Sequence, residues 1–132
     1  MEKKRILIVE DEPIIGLEIR ETLESEGFEV CPVIDKAEDV LKTYLIQKPD
    51  AIIMDIHLKG FIDGIDAVKR LRLIADDLPV IYITAYNTRA TEEKAQKTKP
   101  AAYLTKPVRT KNICSVLSSC FPEPDPEVYC TC

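Results

Sequence analysis

The chain has 132 residues, 45% of them hydrophobic and 31% charged, with a net charge of -5. That length holds one domain able to bury roughly two-thirds of its unfolded surface, and the acidic balance argues against direct binding of nucleic acid through a whole-protein field. No apolar run approaches the ~20 residues of a membrane span, and Ile6 to Val9 is too short for a signal peptide. A cytoplasmic protein without membrane association is expected.

Ile6 to Val9 is a continuous β-branched and leucine run, the pattern of a strand buried on both faces. It ends on Glu10-Asp11-Glu12, and Pro13 suits the first turn of a helix. Ile15, Ile19 and Leu23 form an apolar stripe at i, i+4, i+8, with Gly27 as a natural stop. Phe28 to Ile34 is a second strand candidate, which Pro32 pushes toward an edge position. Ala37, Val40, Leu41, Tyr44 and Leu45 predict a second amphipathic helix that stops before Pro49. Ala51 to Met54 is again a buried-strand run, ending abruptly on Asp55.

Leu58 to Gly64 reads as a loop, and Ile65, Val68, Leu71 and Ala75 mark one face of a third helix. Pro79 to Ala85 is the fourth strand. Asn87 to Lys99 predicts a helix with little apolar content beyond Ala90 and Ala95, the least firmly packed of the set. Ala101 to Thr105 is a short fifth strand ending at Lys106-Pro107, and Ile113, Val116, Leu117 and Cys120 define a last helix. Residues 122–132 carry three prolines without periodicity and are expected to form a tail or the start of a linker, leaving 1–121 as the domain. Of the five cysteines, Cys31, Cys114 and Cys120 fall in strand or helix patterns as small hydrophobes. Cys130 and Cys132, with one distant His in the chain, make a poor zinc site.

Five strands alternating with five helices predict an α/β fold, a three-layer α/β/α sandwich around a parallel sheet. In such a sheet the carboxyl ends of the strands form the rim where ligands bind. Four predicted strand ends bring Glu10 and Asp11, Asp55, Thr84 and Lys106 to that rim. Each has an ordinary reading: Asp55 an Asx-turn, the acidic triplet a complement to a helix dipole, Thr84 a strand residue, Lys106 a solvated charge. Together they are harder to dismiss. Carboxylates crowded to ~4 Å repel by roughly a few kcal/mol per pair at an effective dielectric near 20, so the cluster calls for a cation or a raised pKa. Oxygen-only ligands suit Mg²⁺ with retained waters. With a lysine and a hydroxyl alongside, these are the parts needed to move a phosphoryl group onto an aspartate.

Over residues 4–121 the sequence resembles the receiver domains of two-component response regulators. The matching features are Ile8-Val9-Glu10-Asp11-Glu12, Met54-Asp55-Ile56-His57-Leu58, Ile83-Thr84-Ala85 and Tyr103-Leu104-Thr105-Lys106-Pro107. The resemblance implies a flavodoxin-like fold with strand order 2-1-3-4-5. It also implies that Asp55 accepts a phosphoryl group from a histidine kinase or histidine phosphotransfer protein. Asp11 and Asp55 would bind Mg²⁺ directly, Glu10 through water (where many members have Asp), and His57 through its backbone carbonyl. Lys106 and Thr84 would contact the phosphoryl group, and Tyr103 would move inward with Thr84 as an aromatic switch. His57 and Tyr86 stand at positions that tune phosphate lifetime, and a cis peptide is implied before Pro107. The surface of the fourth helix, fifth strand and last helix is the expected homodimer or output-partner face. In this reading the chain is not an enzyme but a phosphoacceptor that assists its own phosphorylation and dephosphorylation.

Two alternatives of other classes remain at this stage. A haloacid-dehalogenase-like phosphatase also uses an Asp nucleophile with Mg²⁺, but would carry an acidic residue two positions on, where this chain has His57. A flavodoxin-like small-molecule-binding module would need a glycine-rich phosphate loop, and neither Gly-x-Gly-x-x-Gly nor Gly-x-x-x-x-Gly-Lys occurs.

Overall fold

A computed structural model describes residues 3–85 and 87–121. Strand and helix alternate through it: β1 (Arg5–Val9), α1 (Pro13–Ser25), β2 (Glu29–Val30), a 3-10 turn (Ala37–Asp39) leading into α2 (Val40–Gln47), β3 (Ala51–Asp55), α3 (Gly64–Leu71), β4 (Val80–Thr84), α4 (Arg89–Gln96), β5 (Ala102–Thr105) and α5 (Thr110–Cys120). The strands form one parallel sheet in the order β2-β1-β3-β4-β5. The chain leaves β1 toward β2 on one side and toward β3 on the other. The switch point therefore lies between β1 and β3, where open α/β sheets place their ligands.

Alternate residues of each central strand feed two cores. Leu7, Val9, Ile52, Met54 and Tyr82 pack with Val40, Ile65, Val68, Leu71 and Ala95 from α2, α3 and α4. Ile6, Ile8, Ile53, Ile81 and Ile83 pack with Ile19 and Leu23 of α1 and Ile113 and Leu117 of α5. At about 1.5–3 kcal/mol for each large apolar side chain buried, this double coverage makes β1, β3 and β4 the rigid part of the molecule. Their ends are correspondingly fixed in space.

Pro13 and Gly27 act where they were expected, and a capping box not foreseen opens α3. Pro13 opens α1, and Gly27 follows that helix at φ 95°, a left-handed conformation that glycine adopts without steric cost. Asp63 caps α3 by accepting from Asp66 N at 2.9 Å, while Asp66 accepts from Asp63 N at 3.3 Å, a reciprocal capping box. The peptide before Pro107 is cis, as the resemblance implies.

Four expectations need correction. The third helix ends at Leu71, so Ala75, though buried, lies beyond it rather than on its face. The second strand is only Glu29–Val30, with Ile34 touching Val9 through a single further bridge; Pro32 has no N–H with which to continue the ladder. In α2 the buried stripe is Ala37, Val40 and half-buried Tyr44, whereas Leu41 and Leu45 are exposed. The tight Ala37–Asp39 turn changes the angular spacing at the helix start, so these two leucines point one position toward solvent. The fourth helix is shorter than Asn87 to Lys99, and Ala90 is exposed, leaving Ala95 as its one buried residue. Thr88 caps that helix from outside by accepting from Thr91 N at 3.2 Å, and Lys99 turns left-handed at φ 57° beyond its end.

Candidate functional site

Asp55 is the last residue of β3 and only 3% exposed. The apolar run Ala51 to Met54 locks the strand between β1 and β4, so the carboxylate is presented by a rigid element. Its Oδ1 accepts from His57 N at 3.2 Å, and its Oδ2 accepts from Lys106 Nζ at 3.2 Å. Both oxygens are thus oriented, one by the following loop and one by the residue just past β5.

Glu10 follows β1 directly and is buried; its backbone N–H donates to Ile34 O at 2.9 Å. Its Oε2 accepts from Glu12 N at 3.2 Å. Its Oε1 stands 2.9 Å from Lys106 Nζ, an ion-pair distance, yet this buried oxygen accepts no well-directed hydrogen bond among the described residues. Burial, and then the neighbouring Asp55, push the Glu10 carboxyl up, against the opposing pull of Lys106. Burial pulls the Lys106 ammonium down, but its ion pairs with Glu10 and Asp55 outweigh that and hold it above its ordinary value. Glu12 is the third acidic neighbour, 3.7 Å from Lys106 Nζ. Both of the site's acid and base shifts therefore come from one buried charge cluster.

Carboxylate oxygens of Glu10, Asp11 and Asp55 lie within 4.8 Å of one another. A pocket of about 610 Å³ opens beside them, lined by Asp11, Pro13, Asp55, His57, Lys59 and Lys106 among others. Three oxygen donors, one of them buried without a directed hydrogen bond, fit a hard divalent cation that keeps several waters.

Of the remaining sites expected from the sequence, Thr84 and His57 sit at the same end of the sheet and Tyr103 lies further back, level with Tyr82 in the middle of β4. Thr84 ends β4, fully buried, and its carbonyl accepts from Lys106 N at 2.7 Å, which ties the ends of β4 and β5 together. Tyr103 is half-buried on β5, its ring centroid 6.3 Å from that of Tyr82. His57 is exposed and joins the site through its backbone. Tyr86, Cys130, Cys132 and the rest of the 122–132 tail lie outside the described residues.

Two neighbours of the site escaped sequence reasoning. Lys59 lines the pocket four residues after Asp55, inside a loop with no periodicity to mark it. Gly64 opens α3 directly against β3: a Cβ there would overlap the Asp55 carbonyl oxygen and stand 2.8 Å from Met54 Cγ. The Asp63-Gly64 pair, a capping residue followed by the smallest residue, was the available signal for that close approach.

Residues 6–118 match the response regulator receiver domain family. The chain belongs to that family. Among curated proteins, this receiver domain is 34% identical over 106 residues to the transcriptional regulatory protein PdtaR of Mycobacterium tuberculosis (strain ATCC 25618 / H37Rv), covering 79% of this chain and 50% of that protein. It is 33% identical over 131 residues to the phosphate regulon transcriptional regulatory protein PhoB of Rhizobium meliloti (strain 1021), covering 96% and 56%. The receiver domain thus spans about half the length of the curated relatives it matches. Among solved structures, the signal receiver domain of a modulated diguanylate cyclase from Desulfovibrio desulfuricans G20 is 31% identical with a TM-score of 0.83, over 90% of this chain and 94% of that one. A CheY-like receiver domain protein from Methanospirillum hungatei JF-1 has a TM-score of 0.84 at 24% identity, over 89% and 93%, a likeness of fold.

Membership places the protein in two-component signal transduction and leaves the phosphatase and small-molecule-binding alternatives without support. No helix among the described residues is long and apolar enough to cross a membrane.

Proposed function

We propose that Asp55 is the phosphoacceptor of this receiver domain. The observation that carries this is the seating of the Asp55 carboxylate at the end of a fully buried strand, one oxygen on His57 N and the other on Lys106 Nζ, within 4.8 Å of the Glu10 and Asp11 carboxylates. The donor is a phosphohistidine of a histidine kinase or phosphotransfer protein. An Asp55 oxygen forms the new bond to phosphorus as the bond from phosphorus to the donor imidazole breaks, and the imidazole leaves with that electron pair.

Asp11 and Asp55 would hold Mg²⁺ directly, Glu10 through water, and His57 through its backbone carbonyl. Bound there, Mg²⁺ supplies charge neutralisation for an anion entering an acidic pocket. Lys106, already between Glu10 and Asp55, is placed to ion-pair with the incoming phosphoryl oxygens. Thr84 then bonds the phosphoryl group and Tyr103 follows it inward, shifting the α4-β5-α5 face toward a homodimer or an output partner. His57 and Tyr86, two positions beyond Asp55 and Thr84, tune how long the acyl phosphate lasts. The domain assists its own phosphorylation and dephosphorylation through these groups rather than turning over a separate substrate.

We assign residues 1–121 to the receiver and 122–132 to a tail or linker start. The reaction is placed in the cytoplasm, and the free thiols of Cys31, Cys114 and Cys120 suit a reducing compartment. The names of PdtaR and PhoB point to transcriptional output in those longer proteins. A nucleic-acid contact made by this chain's family would then come through an attached output module, and the receiver itself binds none.

Incubation with Mg²⁺ and acetyl phosphate tests the assignment. One acid-stable, base-labile phosphoryl group is expected, and Asp55→Asn is expected to abolish the mass shift. Full labelling of the Asp55→Asn protein would overturn it.

A further inference from the structure

The loop that follows the acceptor strand is held from a distant part of the chain. Glu38, in the 3-10 turn before α2, reaches across with its carboxylate, and its Oε1 accepts from both Phe61 N at 2.8 Å and Ile62 N at 3.0 Å. Beside this contact, Lys36 and Lys59 form an isolated parallel bridge. Gly60 completes the seat. It has φ 118°, and a Cβ on it would stand 2.5 Å from Glu38 Oε2 and 2.6 Å from Oε1, so the carboxylate occupies the space that a side chain would fill. The Ile62 N–H bond, and with it that of Phe61, holds the Glu38 carboxyl below its ordinary value. A carboxylate taking two backbone N–H bonds is a strong local anchor even at the surface.

The loop needs such an anchor. Ile56 seats its start in the core and Leu58 and Ile62 rest partly on it, but the Phe61 side chain at its tip is 100% exposed and contributes no packing. The segment nevertheless carries His57 and Lys59 into the acidic pocket. A loop left to fluctuate there would have to be ordered whenever a cation bound, and that ordering costs roughly 1–2 kcal/mol per residue fixed.

We propose that Glu38, which stands outside the acidic pocket, is a positioning residue for it: by holding the backbone at Phe61 and Ile62 it pre-orders the loop whose His57 carbonyl would meet a divalent cation bound there. The inference rests on the reading of Glu10, Asp11, Asp55 and His57 given above. It links the metal site to the β2-α2 connection, an element with no acidic ligand of its own.

The test is calorimetric titration of Mg²⁺ into the unphosphorylated protein, with amide exchange at Phe61 and Ile62 measured in parallel. Glu38→Ala is expected to raise the Mg²⁺ dissociation constant about three- to tenfold, on the order of one lost hydrogen bond's net free energy, and to speed exchange at both amides. Glu38→Gln keeps an oxygen in the seat without the charge, and is expected to restore affinity to within about twofold of wild type. Wild-type Mg²⁺ affinity in Glu38→Ala, with Asp11→Ala still abolishing binding, would overturn the inference and leave the pocket reading intact. Equal losses in Glu38→Gln and Glu38→Ala would also overturn it, because charge rather than tethering would then be responsible. Mg²⁺ binding that survives Asp11→Ala at full strength would overturn the pocket reading and this inference with it.

Discussion

The Tyr82 hydroxyl lies 2.7 Å from the Thr98 hydroxyl, a buried bond between the middle of β4 and the turn that closes α4. Thr98 gives its one proton to Ala95 O at 2.6 Å, so Tyr82 is the donor in the pair. Burial pushes the Tyr82 hydroxyl up to about 12, and it stays protonated through the physiological range. Arg72 reinforces the same end, donating from Nε to Thr98 O at 2.8 Å and from Nη2 to Lys99 O at 3.1 Å. The helix with the thinnest apolar face is therefore pinned at its C-terminal end by polar groups.

Substitution at the two ends of that bond should not cost the same. Tyr82→Phe removes the donor and leaves Thr98 still bonded to Ala95, a loss of about 1 kcal/mol. Thr98→Val leaves a buried phenolic proton without an acceptor, for which about 1–3 kcal/mol is expected. Urea denaturation should rank Thr98→Val as the less stable variant. The reverse order would mean that Tyr82 finds another acceptor.

Lys106 sits between two carboxylates that have little else to neutralise them. Lys106→Met should therefore destabilise the Mg²⁺-free protein by about 3–5 kcal/mol, the range for stripping one partner from a buried ion pair. Mg²⁺ should recover part of that loss, and its stabilising effect should be larger in Lys106→Met than in wild type. Thermal midpoints with and without Mg²⁺ measure both. An unchanged midpoint in the Mg²⁺-free variant would show that water already screens the Glu10–Asp55 repulsion.

The sheet and the cluster of Glu10, Asp11, Asp55 and Lys106 at its rim were legible in the sequence because each rested on a strong local signal. Buried strands are continuous apolar runs, and the abrupt change from Met54 to Asp55, or from Val9 to Glu10, marks where a strand reaches its rim. What stayed hidden depended on partners far apart in the chain. Glu38 and the Phe61 backbone are 23 residues apart, and neither has a composition that announces the other. Tyr82 lies within the fourth-strand run and Thr98 within the fourth-helix stretch, and nothing in either stretch pairs their hydroxyls, which packing brings together. Leu41 and Leu45 failed for a smaller reason: a tight turn at the start of α2 moved the register of the stripe.

The Glu38 seat has a pH signature. Its carboxyl is held below the ordinary glutamate value of 4.5 in the folded protein by the Ile62 and Phe61 N–H groups. The unfolded chain therefore binds the proton first as pH falls, so the stability this group contributes is present above about pH 4.5 and is lost as pH drops through the lower folded value. Glu38→Gln cannot titrate, and its stability should fall less steeply than that of wild type below pH 4.5. Parallel acid slopes in the two proteins would mean that solvent screens the seat completely.

On the proposed acceptor role of Asp55, the anchored end of α4 also restricts how its phosphorylation would be read out. Thr84 ends the strand that leads into the N-terminal side of α4, whereas Tyr82, Arg72 and Thr98 hold its C-terminal side. Between them only Ala95 is buried, so most of the helix has little apolar packing to resist displacement. A two-state shift from 1:99 to 99:1 takes about 5.5 kcal/mol of differential stabilisation, which a few charge-assisted hydrogen bonds from Thr84 and Lys106 to the phosphoryl group can approach. Moving both ends would also break the buried Tyr82–Thr98 bond; moving one end would not. The helix is therefore expected to pivot about Thr98. Amide exchange with and without beryllofluoride and Mg²⁺ should change over residues 88–93 and stay nearly constant at Ala95 and Thr98. Thr84→Ala should blunt the change while Asp55 still accepts phosphate, and Thr98→Val should let it spread to the C-terminal end. Uniform change along the whole of α4 in the wild-type protein would rule out the pivot, and change confined to residues 10–12 and 55–60 would rule out this face as the output.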